Sequence, residues 1–113
     1  MTTIFKKIIN KEIPATIVYE DDDVIAFKDI NPAAPTHLLI IPKAEIPTFN
    51  DIEEEHQMLL GRLLLVAKNI AAEQNLSKNG YRLVINCNEN GGQTVYHLHM
   101  HMIAGKKLNW PPG

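Results

Sequence analysis

The alternation of apolar and polar residues predicts a short helix, three strands, a long helix and two further strands, in that order. Ile4 to Ile9 carries apolar residues on one side of a helical turn, and Pro14 ends any helix that begins before it. Apolar residues at helical spacing predict one long helix from about Ile52 to Gln74. Five short runs rich in β-branched and aromatic residues predict strands. These runs are Thr16 to Glu20, Val24 to Asp29, Leu38 to Ile41, Tyr81 to Asn86 and Val95 to Ile103.

The order of these elements favours an α+β fold. Helices do not alternate regularly with strands, so most neighbouring strands are expected to pair as hairpins. We expect a five-stranded, mainly antiparallel sheet with the long helix on one face and the short helix covering part of the sheet. Asp51 and Glu54 have the spacing of a capping box at the start of the long helix. Leu38 to Ile41 is a nearly continuous apolar run, which predicts a strand buried on both faces.

Length and composition narrow the class of protein. The 113 residues suit a single domain over residues 1–113, with one hydrophobic core. The 11 basic and 13 acidic residues are interspersed, so there is no basic stripe for long nucleic acid, although small nucleotides remain candidate ligands. The longest apolar runs are far shorter than a membrane span, and no membrane association is expected. Cys87 is the only cysteine, which favours a reducing, cytoplasmic location.

The clearest chemical signal is three histidines at alternate positions in the last predicted strand. His97, His99 and His101 leave one face of such a strand, and the apolar residues between them leave the other. A purely structural role is disfavoured, because three adjacent buried imidazoles would each need a hydrogen-bond partner.

Two chemical interpretations remain open on spacing alone. Alternate strand residues lie about 6.6 Å apart and the outer pair about 13 Å apart, whereas a metal to nitrogen bond is about 2 Å. One ion is therefore not held by all three imidazoles, but two of them with His37 or an aspartate remain a possible metal site. The other interpretation is anionic ligand chemistry, in which imidazoles contact phosphate, attack it or donate a proton. The loop Asn90 to Thr94 precedes the histidines, and its two glycines let backbone amides approach an oxyanion.

The run GGQTVYHLHMHMI at residues 91–103 resembles the signature of the histidine triad (HIT) superfamily, in which three histidines alternate with apolar residues. Five further segments agree with the Hint branch, the histidine triad nucleotide-binding proteins, so the resemblance spans essentially the whole chain. These segments are Phe5 to Ile9, Lys11 to Ala15, Phe27 to Pro32, Ala34 to His37 and Trp110 to Gly113.

The resemblance implies an enzyme that cleaves the phosphorus to nitrogen bond of purine nucleoside phosphoramidates, and also hydrolyses aminoacyl adenylates. Its ligands would be purine nucleoside monophosphates and phosphoramidates, with no cofactor and no metal. It also implies a homodimer, with the strand Tyr81 to Asn86 and the long helix at the interface. The location would be cytoplasmic, with nuclear entry in a eukaryote. The alternative is a nucleotide-binding regulatory or scaffold protein whose hydrolase activity is incidental.

The resemblance also assigns catalytic roles. His99, the middle histidine, would be the nucleophile that forms a nucleotidyl-histidine intermediate, and His101 would lie beside the phosphate. His97 and His37 would orient the nucleophile and relay protons. Thr94 would donate its hydroxyl hydrogen to the phosphate or to the leaving nitrogen.

The remaining assignments concern nucleotide binding. Asp29 would accept hydrogen bonds from the ribose hydroxyls. Asn86, Gly92 and the backbone around Gln93 would contact phosphate or ribose. An apolar slot for the base would consist of Phe5, Ile8, Phe27 and Ile30. Trp110 would approach the partner subunit's site and influence leaving-group selectivity.

Overall fold

In a computed structural model, which describes residues 2–113, five strands form one antiparallel sheet with helices on both faces. The helices are α1 (Ile4–Ile9), α2 (Gln57–Glu73) and α3 (Asn88–Gly91). The strands are β1 (Ile17–Glu20), β2 (Val24–Lys28), β3 (Thr36–Pro42), β4 (Tyr81–Val84) and β5 (Met100–Ala104). Their order in the sheet is β1-β2-β3-β5-β4, and every neighbouring pair is antiparallel. The predicted α+β fold is confirmed.

Alternating side chains of the central strands build a separate apolar cluster on each face of the sheet. In β2, Val24 and Ala26 pack in the cluster under α2, whereas Ile25 and Phe27 pack in the cluster under α1. β3 contributes to both clusters, and its last six residues are buried. The predicted strand with two buried faces is therefore confirmed. Within residues 2–113, no helix is both long enough and apolar enough to cross a bilayer.

The start of the long helix differs from the prediction. α2 begins at Gln57 instead of Ile52 and follows two 3-10 turns, Phe49–Asp51 and Glu54–His56. Asp51 belongs to a capping box with Thr48, since the Thr48 N–H donates to Asp51 Oδ2 at 3.0 Å. The carboxylate therefore caps the first 3-10 turn instead of starting α2.

The last strand is shorter than predicted. It begins at Met100 instead of Val95, because the chain before it bonds outside a strand ladder: the Leu98 N–H donates to Ile46 O at 2.6 Å. Side chains nevertheless alternate through this segment, and Leu98 and Met100 both lie in the cluster under α2. The helical turn α3, with Gly92 following at a left-handed φ of 83°, was not predicted.

Asp21 connects the turn between β1 and β2 to α2. Its Oδ1 accepts the N–H groups of Asp23 and Val24, both at 2.8 Å. Its Oδ2 accepts the Tyr19 hydroxyl at 2.6 Å and Arg62 Nη2 at 2.7 Å. Burial raises the pKa of the Asp21 carboxyl, but these four hydrogen bonds outweigh it and keep the pKa well below the ordinary range.

We expect Asp21→Asn to lower the free energy of unfolding at pH 7 by about 1–2 kcal/mol, because it removes a charge-assisted hydrogen bond to Arg62. A depressed carboxyl pKa in the folded state contributes stability above the unfolded pKa and loses it at lower pH. The difference between the two proteins should therefore shrink as the pH falls below about 4. Urea unfolding at several pH values measures it. Asp22→Asn, at the exposed neighbouring position, is the control, and an equal loss in both variants would contradict the role of Asp21.

Candidate active site

A cavity of about 600 Å³ opens on the α1 face of the sheet. The four residues predicted for an apolar slot, Phe5, Ile8, Phe27 and Ile30, all line it. Six further apolar residues line it without having been predicted, namely Ile4, Ile13, Pro14, Ala15, Leu39 and Val95. Ile13 to Ala15 lie within the segment Lys11 to Ala15, which carries part of the family resemblance but was not assigned to the cavity.

One end of the cavity is polar. Asp29, Thr94, His99 and His101 line it together, although Asp29 is 70 positions or more before the two histidines. The other predicted residues lie outside the lining: His37 and His97 are buried behind it, and Trp110 is 83% exposed. Asn86, Gly92 and Gln93 also lie outside the cavity lining.

Backbone carbonyls determine where His97 and His99 carry their protons. His97 Nε2 lies 2.7 Å from Pro42 O, and His99 Nδ1 lies 2.7 Å from His97 O. A carbonyl oxygen only accepts, so each of these nitrogens carries the hydrogen. The other nitrogen of His99, Nε2, is therefore unprotonated while the ring is neutral. Burial lowers the pKa of both imidazoles, which keeps His99 in this nucleophilic form at pH 7.

His37 and His101 form a second pair whose protons are set from the backbone. The Ala33 N–H donates to His37 Nδ1 at 2.9 Å, so neutral His37 carries its hydrogen on Nε2. That nitrogen lies 2.9 Å from His101 Nδ1 and 3.4 Å from Asp29 Oδ2. His101 Nδ1 therefore accepts, and His101 presents an N–H at Nε2. Burial lowers the pKa of His101 to about 4, with the neighbouring histidines adding to the effect.

The arrangement places an attacking group beside a donating group. The ring centroids of His99 and His101 are 5.0 Å apart, so one small anionic centre can contact both. His99 offers a lone pair at Nε2, and His101 offers a hydrogen at Nε2. The exposed Thr94 hydroxyl lies at the same end of the cavity. These groups suit nucleophilic attack on a phosphorus atom with proton donation to its oxygens or its leaving group.

Gln93 supports this end of the cavity from behind. Its side chain is buried, and its Oε1 accepts the Asn88 N–H at 2.9 Å. Its Nε2 donates to Pro47 O at 2.9 Å and to Val95 O at 3.0 Å. All of its strong hydrogen-bonding groups are thus used within the protein, and they connect α3 to the segment that carries Thr94. Nothing in the sequence distinguishes this glutamine from an ordinary loop residue.

The chain is similar to proteins of known class. A family model described as "HIT domain" matches residues 10–108. The purine nucleoside phosphoramidase of Escherichia coli K12 is 56% identical over 106 residues, which cover 94% of this chain and 89% of that protein. The 14 kDa zinc-binding protein of Zea mays is 55% identical, covering 98% of this chain and 88% of that protein. The crystal structure of a HIT family hydrolase from Legionella pneumophila has a TM-score of 0.97 and 52% identity, covering 99% of this chain and all of that one.

We expect Gln93→Ala to lower the free energy of unfolding by about 1–3 kcal/mol, because it leaves two carbonyls and one N–H without their partners. Thermal or urea denaturation measures the loss. Gln57→Ala is the control, since Gln57 is exposed and bonds only to the Glu54 side chain among side-chain groups of residues 2–113. A loss of similar size in both variants would contradict the role assigned to Gln93.

Proposed function

This chain belongs to the HIT domain family, and from that membership we propose that it is a purine nucleoside phosphoramidase whose nucleophile is His99. The observation that carries the proposal is the unprotonated Nε2 of His99 at the polar end of the cavity, beside the His101 N–H. We also propose that residues 1–113 form one domain and that the enzyme is cytoplasmic, a location that the single cysteine favours.

The cavity accounts for the binding of a nucleoside phosphate. Phe5, Ile8 and Phe27 offer apolar surface to a base, with Ile30 exposed at the rim. Asp29 lines the same cavity, with its Oδ2 3.4 Å from His37 Nε2, and its carboxylate accepts hydrogen bonds from the ribose hydroxyls. The α-phosphate then lies against His99, His101 and Thr94.

The reaction proceeds in two steps. His99 Nε2 attacks the α-phosphorus, the phosphorus to nitrogen bond breaks, and its electron pair leaves with the amine. The amine takes a proton at this end of the cavity, where Thr94 and His101 carry hydrogens. The His99 ring becomes positively charged in the nucleotidyl-histidine, and the hydrogen bond from its Nδ1 to His97 O stabilises that charge. Water then attacks the phosphorus, and the bond to His99 Nε2 breaks, which releases AMP and restores neutral His99. One proton of the water returns to the group that protonated the amine.

We also propose a homodimer that buries the exposed edge of the sheet. β4 forms one edge, and an unpaired edge strand favours pairing with another chain. α2 carries exposed apolar residues, Met58, Leu64 and Leu65, which a second subunit would cover.

The exposed Trp110 follows Asn109, whose carbonyl accepts a hydrogen bond from Arg82 of β4. This anchor supports a role for Trp110 at the partner's cavity, where it would influence the choice of leaving group.

Zinc binding is a second candidate, because Asp29, His37 and His101 place three ligand atoms within 4.8 Å of one another. The protonation of these residues does not fit it. A zinc ion on His37 Nε2 would need the hydrogen moved to Nδ1, where it would face the Ala33 N–H at 2.9 Å. In addition, His37 Nε2 and His101 Nδ1 are 2.9 Å apart, the separation of a hydrogen bond. We therefore propose that Asp29, His37 and His101 determine which ring nitrogens carry hydrogen, and that they do not bind zinc.

His99→Ala should lower phosphoramidase turnover by at least about a thousandfold, because the nucleophile is lost. AMP affinity should change by less than about tenfold, since ribose and base contacts remain. Steady-state kinetics and calorimetry measure the two effects. The control is His56→Ala, because His56 lies outside the cavity lining. Turnover by the His99 variant near that of the control would refute the assignment, and a scaffold function would then be favoured.

Sedimentation should show a species of about twice the 12.7 kDa chain mass. Leu64→Asp should shift it toward the monomer, because it introduces a charge onto the exposed apolar surface of α2. Lys68→Asp, a charge change at an exposed position of the same helix, is the control for net charge. A monomer alone in the unmodified protein would refute the dimer.

Treatment with a chelator should leave phosphoramidase activity unchanged, and added zinc should not raise it, because the protonation of His37 and His101 disfavours a metal ion. Elemental analysis of the purified protein with activity before and after dialysis against chelator tests this. A loss of activity on chelation that stoichiometric zinc restores would overturn the proton-arrangement role of the cluster.

A further inference from the structure

One peptide group connects the imidazole of His99 to the turn that follows β3. This group is the amide between His97 and Leu98. Its oxygen, His97 O, accepts the hydrogen of His99 Nδ1 at 2.7 Å. Its N–H, on Leu98, donates to Ile46 O at 2.6 Å. Both bonds use the same amide, so Ile46 O, this amide and His99 Nδ1 form one continuous chain of hydrogen bonds.

The interior position of this chain makes its two bonds depend on each other. Ile46 is 4% exposed, Leu98 2% and His99 6%, so little water competes for the groups involved. In such surroundings each hydrogen bond polarises the next and strengthens it by about 10–30%. Donation from the Leu98 N–H moves electron density onto the oxygen of the same amide. His97 O is therefore a better acceptor for His99 than an isolated carbonyl would be.

The His97 side chain holds the amide in place from its other end. Its Nε2 donates to Pro42 O at 2.7 Å. Pro42 ends β3, and Ile46 lies in the turn after it, so two carbonyls of one short segment hold His97 and Leu98. Ile46 lies outside the cavity lining. Any influence of Ile46 on the reaction must therefore pass through the amide.

We propose that Ile46 is a positioning residue, whose carbonyl acts on His99 by polarising the His97–Leu98 amide that accepts the His99 N–H. This rests on the proposed function and adds a residue to it. The action is strongest when the His99 ring is positively charged, because a charged donor makes the stronger hydrogen bond. Ile46 therefore favours formation of the nucleotidyl-histidine more than it favours nucleotide binding.

A change of one backbone atom tests the proposal. Replacing Pro47 by L-lactic acid, the α-hydroxy analogue of alanine, turns the Ile46 carbonyl into an ester carbonyl, which is a weaker acceptor. Proline has no N–H, so the ester removes no donor. Pro47→Ala is the matched control, with the same side chain and an amide carbonyl. Relative to this control, the ester protein should form the nucleotidyl-histidine about two- to fivefold more slowly in single turnovers, with AMP affinity unchanged within about twofold. Equal rates overturn the proposal.

The direction in which the His99 pKa moves distinguishes this action from a loosened structure. A weaker acceptor disfavours the charged ring, so the pKa of His99 should fall further below its ordinary value in the ester protein. Loosening that admits water would raise this pKa instead. The titratable groups that face His99 are the same in both proteins; they are His97, His101 and Asp29, and α1 contributes the uncharged ring of Phe5. NMR titration of labelled histidine measures the pKa, and a value equal to or above that of Pro47→Ala overturns the proposal.

The unmodified protein gives a second readout that needs no turnover. Coupling between two bonds is reciprocal, so protonation of His99 should strengthen the bond from the Leu98 N–H to Ile46 O. The Leu98 amide proton and the Ile46 carbonyl carbon should therefore shift downfield with the midpoint of the His99 ring as the pH falls. The Ile46 N–H, which donates to Ala44 O at 3.1 Å, is the control beside the chain. No shift, or an equal shift of the control proton, overturns the proposal. Failure to release AMP from adenosine 5′-phosphoramidate refutes the phosphoramidase function instead, and this titration still decides the coupling.

Discussion

The antiparallel pairing of β3 with β5 is the interaction on which the site depends. It sets His37 opposite Ile103 and Leu39 opposite His101, so His37 and His101 are diagonal neighbours on the α1 face of the sheet. Side chains at such positions are within reach of each other, and the two ring centroids are 5.1 Å apart. A shift of one residue in this register would turn one of the histidines to the other face and separate the pair.

Backbone groups determine which nitrogens of the site histidines carry hydrogen. Pro42 O, His97 O and the Ala33 N–H each contact one ring nitrogen, and together they determine the tautomers of His97, His99 and His37. Main-chain atoms neither titrate near neutral pH nor change rotamer. The nucleophilic form of His99 therefore follows from the path of the chain, and burial reinforces it by disfavouring the charged ring.

Much of this was predictable from the sequence, for identifiable reasons. The alternation of histidines with apolar residues predicted that the triad shares one face. The side chains also alternate from Val95 to His99, which is not a strand, and Leu98 still packs in the cluster under α2. Contacts between distant segments were not predictable. The approach of Asp29 to His37 depends on the turn before β3, and the start of α2 depends on which residue Asp51 caps. The role of Gln93 depends on three backbone groups, one of them at Pro47, far along the chain.

The two apolar clusters have different roles: the cluster under α2 forms the larger part of the core, and the cluster under α1 lines the cavity. The cluster under α2 contains most of the buried apolar residues, whereas the smaller cluster under α1 contributes Phe5, Ile8, Phe27 and Leu39 to the cavity lining. Substitutions in the cavity floor therefore leave the larger part of the core untouched. Such a scaffold can acquire new ligand preferences through changes on one side while the other side keeps the chain folded. The α1 face is accordingly the place where related chains with different substrates should diverge, and where redesign of specificity should begin.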